Sequence, residues 1–159
     1  MYSIGDKVVY PMYGAGIIES IEEREFQGVV NQYYVMKMPM GDMKVMIPML
    51  NAERIGIRDV IDDKEADKVI SEFAWLETEC ENSWNKRYRE NMLKIKGGNI
   101  YEVAAVVKML MCRDKAKGLS TGEKKMLTNA KQILISELVL AKNIAQEEIE
   151  RRIEDALSE

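Results

Sequence analysis

The sequence predicts an α+β chain, with a small β-barrel over residues 1–56 and an all-α bundle of about five helices over residues 60–159. Three observations lead there. Short β-type runs joined by turns fill roughly the first 55 residues. Pro11, Pro39 and Pro48 all lie in that stretch, so nothing after Pro48 interrupts a helix. From Asp59 onward the apolar residues recur at helical spacing. With 159 residues, 47% hydrophobic and 31% charged, the chain can bury one large core or two small ones.

The elements follow in order. "KVVYP" reads as a strand ended by proline, and "GAGIIESI" as a second that opens at a tight turn with Gly14 and Gly16. "QYYVMKM" and "KVMIPM" follow, with "MGDM" as their hairpin connection. Short strands at this spacing suggest a barrel of SH3 or Tudor type. Ala66, Val69, Ile70 and Phe73 form the first helical stripe, and Trp84, Tyr88, Met92 and Ile95 the second. Asn99 with Glu102, and Ser120 with Glu123, have the spacing of a capping box. Val103, Val106, Val107 and Leu110 face inward from the third helix, which Gly118 ends. Met126, Leu127, Ala130, Ile133, Leu134 and Leu138 line the fourth; Ile149, Ile153 and Leu157 mark a short last one.

Composition removes several classes of function. There is no histidine, which excludes a histidine base, a Cys–His nucleophile and an imidazole-dependent zinc site. Cys80 and Cys112 are far apart and belong to no CxxC pair, so they read as reduced thiols. The acidic run from Asp59 to Glu81 has no partner for acid–base chemistry and reads as a solvated helix face. "GAG" lacks a nucleotide-loop fingerprint. The chain is therefore expected not to be an enzyme and to need no cofactor or metal. No stretch approaches the roughly 20 apolar residues of a membrane span, and "MYSIGDKVVYP" has no secretory pattern. A cytoplasmic protein without a membrane partner is expected.

The net charge of −4 hides a segregation. Residues 59–81 hold 2 cations and 9 anions, residues 82–131 hold 12 cations and 4 anions, and residues 132–159 hold 3 cations and 7 anions. A polyanion would be attracted to one face and repelled elsewhere. Within the basic block, "WNKRYRENMLKIK" sets Trp84 beside Lys86, Arg87 and Arg89. Trp84 reads in two ways: as the first core residue of its stripe, with solvated cations around it, or as an exposed apolar wedge flanked by phosphate contacts. "GLSTGEKKML" offers a helix start with Ser120, Thr121, Lys124 and Lys125, which reads as an ordinary cap or as a second phosphate grip. Met36, Met38, Met40, Met43, Met46 and Met49 are dense enough to suggest an adaptable contact surface.

Long colinear motifs then carry a resemblance. "GDKVVYPMYGAGIIESIEER", "YYVMKMPMGDMKVMIP" and "NAERIGIRDVI" resemble the polymerase-interaction domain of the CarD-like bacterial transcription regulators. "WNKRYRENMLKIKGGNIYEVAAVVKML" and "RDKAKGLSTGEKKMLTNAKQILISELVLA" resemble that family's C-terminal helical domain, and the likeness runs to about Ala141. The resemblance implies a Tudor-like domain, shared with transcription-repair coupling factors, that docks on the RNA polymerase β subunit. It implies a helical domain that meets promoter DNA just upstream of the −10 element. There a tryptophan wedges into the minor groove at the upstream bubble edge and stabilises the open complex.

The position matching that tryptophan is Trp84. The family's DNA contacts fall on Lys86, Arg87 and Arg89, with Lys124 and Lys125 at the next helix start. Arg24 matches a polymerase-binding basic residue, and Met46 stands where the family has a second arginine. The implied protein is a monomer when bound to polymerase and associates with the nucleoid through it. Two other readings stay open: a protein-only adaptor whose basic block meets an acidic partner, and a free-standing DNA-binding repressor.

Overall fold

The computed structural model describes residues 1–76 and 83–158. Cys80 and the end of the acidic run, from Glu77 to Glu81, lie outside the described residues. The N-terminal half forms five antiparallel strands: β1 (Lys7–Tyr10), β2 (Gly14–Phe26), β3 (Val29–Lys37), β4 (Lys44–Pro48) and β5 (Arg58–Asp59). Their order is β4-β3-β2-β1-β5.

The expected barrel is an open sheet, because its edge strands β4 and β5 do not pair. β5 has only two residues, and the chain between the edges turns through a 3₁₀ segment (Met49–Asn51) and the short α1 (Ala52–Ile55). Gly56, at φ 93°, closes α1 by donating to the Ala52 and Glu53 carbonyls. Tyr2 ties the N-terminus to this half: its backbone N–H donates to the Tyr34 hydroxyl at 3.0 Å and its own hydroxyl to the Ile57 carbonyl at 3.2 Å. The sheet core holds Val8, Ile18, Tyr34, Met36, Met38 and Ile47. Met36 and Met38 are thus core, while Met43 and Met46 are exposed, so only part of the methionine cluster is available to a partner.

The helical half comprises α2 (Asp63–Phe73), α3 (Trp84–Gly97), α4 (Ile100–Lys117), α5 (Thr121–Lys142) and α6 (Gln146–Ser158). The stripes expected for α2, α4, α5 and α6 merge into one core that includes Val69, Phe73, Val107, Leu110, Leu134, Leu138 and Ile149. Local chemistry sets the starts. Asp62 accepts from Glu65 N–H at 2.8 Å, Asn99 from Tyr101 N–H at 2.9 Å and Ser120 from Glu123 N–H at 3.2 Å. Gly118, at φ 78°, ends α4 by donating to the Arg113 and Asp114 carbonyls.

The halves meet through a mixed polar and apolar seam. Arg58 pairs bidentately with buried Glu137 on α5, both distances being 2.7 Å, and donates to the Gly98 carbonyl at 2.8 and 3.0 Å. Ile61 N–H gives Glu137 a further bond at 3.0 Å. Ala15 N–H donates to the Ser136 hydroxyl at 2.9 Å, and Lys7 to the Leu140 carbonyl at 2.9 Å. Val9, Ala15 and Leu140 pack together beside them. Gly14 permits the approach: at φ 114° it begins β2 where an added Cβ would lie 2.7 Å from Ser136 Oγ.

Candidate nucleic-acid interface

The first turns of α3 and α5 come together around Trp84. Trp84 is 43% exposed as a residue, and its ring stacks on Tyr88, one turn on, with centroids 5.0 Å apart and planes inclined by 16°. Its Nε1–H donates to Ser120 Oγ at 2.9 Å. The same oxygen caps α5, so one hydroxyl serves the helix and the ring. Gly122 lies alongside: a Cβ there would be 3.5 Å from Trp84 Cζ2 and 3.7 Å from Tyr88 Cε2. Trp84 is therefore an exposed ring on a built seat rather than the first core residue of its helix.

Arg87 departs from its expected role as a phosphate contact. Its side chain is 2% exposed, and its Nε and Nη2 donate to the two carboxylate oxygens of equally buried Glu123 at 2.7 and 2.9 Å. A guanidinium held inside, on a carboxylate, does not present its charge to a nucleic-acid backbone. Arg87 drops out of the candidate DNA contacts and joins α3 to α5 instead. The hydrogen bonds from Arg87 hold the Glu123 carboxyl below its ordinary pKa despite burial. The buried edge of α3 is accordingly Arg87, Asn91 and Ile95, with Tyr88 and Met92 beside it. Asn91 donates to Met109 Sδ at 3.6 Å.

The pair also alters the second capping box. Ser120 caps the Glu123 N–H as expected, but the Glu123 carboxylate turns to Arg87. Lys108, another cation of the basic block, is buried and donates to the Ala74 carbonyl at 2.7 Å. The surface is thus less basic than the count of 12 implies.

Lys86, Arg89, Lys124 and Lys125 are exposed. Lys124 and Lys125 line a shallow groove of about 360 Å³ with Thr121, Thr128, Asn129 and Gln132 along the open side of α5. An apolar ring at the meeting point of two helix starts, with exposed cations on both helices, can contact a base or base step while the cations hold phosphates.

Arg24 and Met46 lie elsewhere, on the sheet. Ser20 is in register with Val35 and Met46, Glu22 with Tyr33 and Pro48, and Arg24 with Asn31. Arg24 and Met46 therefore share the sheet face turned away from the Tyr34–Met36–Ile47 core. Arg24 is largely exposed and bonds Glu22 at 2.7 Å. Beyond Arg24, β2 and β3 continue as a two-stranded ribbon that sequence reasoning did not single out. Its tip bears Phe26, Val29 and Val30, exposed by 70, 57 and 59%. Gln27 and Gly28 close it with φ values of 51° and 79°, and "FQGV" is the local signal of such a two-residue hairpin.

The family model described as "CarD-like/TRCF RID domain" matches residues 2–61, and "CarD, C-terminal domain" matches residues 68–154. The chain is also 46% identical over 149 residues to the Bacillus subtilis (strain 168) protein named "Putative transcription factor YdeB". That alignment covers 94% of this chain and 97% of the relative.

Proposed function

Since this chain belongs to the CarD-like family of transcription regulators, we propose that it regulates transcription by holding RNA polymerase with its sheet half and promoter DNA with its helical half. The sheet half binds the polymerase β subunit through the face and ribbon that carry Arg24, Met46 and Phe26. The helical half meets the upstream edge of the bubble, where Trp84 wedges into the minor groove and stabilises the open complex. Lys86, Arg89, Lys124 and Lys125 hold the backbone without reading sequence. In the cell the protein would follow polymerase to the nucleoid.

The observation that carries this reading is Trp84. A tryptophan is left 43% exposed yet its ring is fixed by a stack and a hydrogen bond, where two cation-bearing helix starts converge. A core residue would be covered, and a solvated surface would not carry a tryptophan on a fitted seat. The experiment is the lifetime of open promoter complexes formed by cognate holoenzyme, with no added protein, the wild type or Trp84→Ala. A base-stacking contact contributes on the order of 1–3 kcal/mol. Loss of the wedge should therefore shorten the protein-dependent lifetime by about 5- to 150-fold while polymerase capture persists. Equal lifetimes with both forms would leave the helical half as a tether only.

A further inference from the structure

We infer that Ser120 is a specificity-determining residue: it occupies the single hydrogen-bond donor of Trp84, so the ring meets nucleic acid by apolar contact alone and is indifferent to base identity. The inference rests on the proposed wedge and adds how it reads its target. An indole has one polar atom, an N–H that only donates. The minor groove offers that donor acceptors on every base pair, together with a guanine amino group that only donates, so a free indole N–H would discriminate. Here the donor is already engaged, at 2.9 Å, by Ser120 Oγ. Tyr88 covers one ring face, and Gly122 lies against the Cζ2 corner. Trp84 nevertheless stays 43% exposed with its one polar atom taken, and stacking on such an apolar surface tolerates any base.

Ser120, Tyr88 and Gly122 also orient the ring before DNA arrives. Beneath them the Arg87–Glu123 pair fixes α3 against α5. Ser120 is a positioning residue in this scheme, and it need not touch DNA.

Two measurements test it. The first is hydrogen exchange of the indole N–H groups in the free, full-length protein, with the exposed Trp75 as an internal reference. The Trp84 N–H should exchange at least about tenfold slower than that of Trp75. Ser120→Ala should bring the two level, and Ser120→Thr, which keeps a hydroxyl and a cap, should restore the difference. Level rates in the wild type would refute the seat.

The second is open-complex lifetime on four promoters that differ only in the base pair at the bubble edge. Trp84→Phe, which lacks the N–H, should shorten the lifetime by the same factor on all four, within about twofold. A loss concentrated tenfold or more on one base pair would show that the N–H reads a base edge, and would overturn the inference. If Trp84→Ala behaves as wild type on all four, the wedge itself fails and the inference falls with it; slow exchange at Trp84 would identify that case.

Discussion

Arg87 and Arg89 are two positions apart on α3, and the structure predicts opposite consequences for removing them. Arg87→Ala leaves the Glu123 carboxylate buried without its bidentate partner. Breaking a buried pair from one side costs about 3–5 kcal/mol. With a urea slope of about 2 kcal/mol/M, the unfolding midpoint should fall by about 1.5–2.5 M. Arg89 is exposed, so Arg89→Ala should change stability by no more than about 0.5 kcal/mol.

The DNA-binding readout runs the other way. Four exposed cations give a log–log salt slope of roughly −3.6 for backbone contact, and Arg89→Ala should reduce it by about 0.9. Arg87→Ala, measured where it is still folded, should leave the slope unchanged. Arg87→Met with Glu123→Leu should recover most of the lost stability, because it removes both charges together. The reasoning is refuted if Arg87→Ala costs less than about 1 kcal/mol and also lowers the slope by about one contact.

The same pair gives a pH signature. The Glu123 carboxyl is held below its ordinary value of 4.5 by its bonds from Arg87, so its contribution is complete above pH 4.5 and fades as pH falls through the folded-state value. Partly exposed Glu148, drawn down to about 2 by Arg151 and Arg152, also loses its contribution below pH 4.5, but 0.5 M salt should screen it. In acid unfolding at high salt, the Arg87→Met, Glu123→Leu form should therefore lose less stability below pH 4.5 than the wild type. At the seam, Arg58→Ala should cost about 2–3 kcal/mol, somewhat less than a fully buried pair because the Arg58 side chain is partly exposed; a urea midpoint unchanged within error would refute that. On the ribbon, Arg24→Glu and Phe26→Ser should each leave the melting temperature within about 2 °C while reducing co-purification with polymerase. Normal capture by both would remove the sheet face from the proposed docking site.

The helices were legible because their signals are local. The apolar residues of α2, α4, α5 and α6 repeat at helical spacing, and the caps of α2, α4 and α5 sit next to them in sequence, so Val107, Leu134 and Ile149 could be assigned inward without a partner in view. α3 was legible as a helix but not in its facing. Hydropathy left Trp84 open between a core residue and an exposed wedge and put Arg87 outside; the structure leaves Trp84 exposed and buries Arg87. Arg87 is affordable inside only because Glu123, 36 residues away, meets it, and no periodicity encodes that distance. Ser120 was readable as a cap and not as the acceptor for Trp84, for the same reason. The sheet shows the parallel limit. Its strands follow from alternation and turn residues, but closure depends on whether β4 reaches β5. The two-residue β5 is too short to leave a pattern.

The seam between the halves bears on how two weak contacts could act as one. If polymerase and DNA are gripped by different halves, the second contact forms intramolecularly, and its strength depends on how narrowly the first presets it. A flexible hinge near residues 54–60 would spread the helical half over many positions. Instead Arg58, at that boundary, reaches to Glu137 on α5 and to the Gly98 carbonyl after α3, while Ala15 and Lys7 bond α5 from the sheet side. These bonds restrict the travel of Trp84 relative to Arg24 and Met46, so little orientational freedom remains to be lost when the second contact forms. Arg58→Ala would then weaken the protein's effect on open complexes even at temperatures where both halves remain folded. Separate binding to polymerase and to free DNA would stay near wild type. A loss confined to the three-component assay is the result that distinguishes a rigid bridge from two tethered domains.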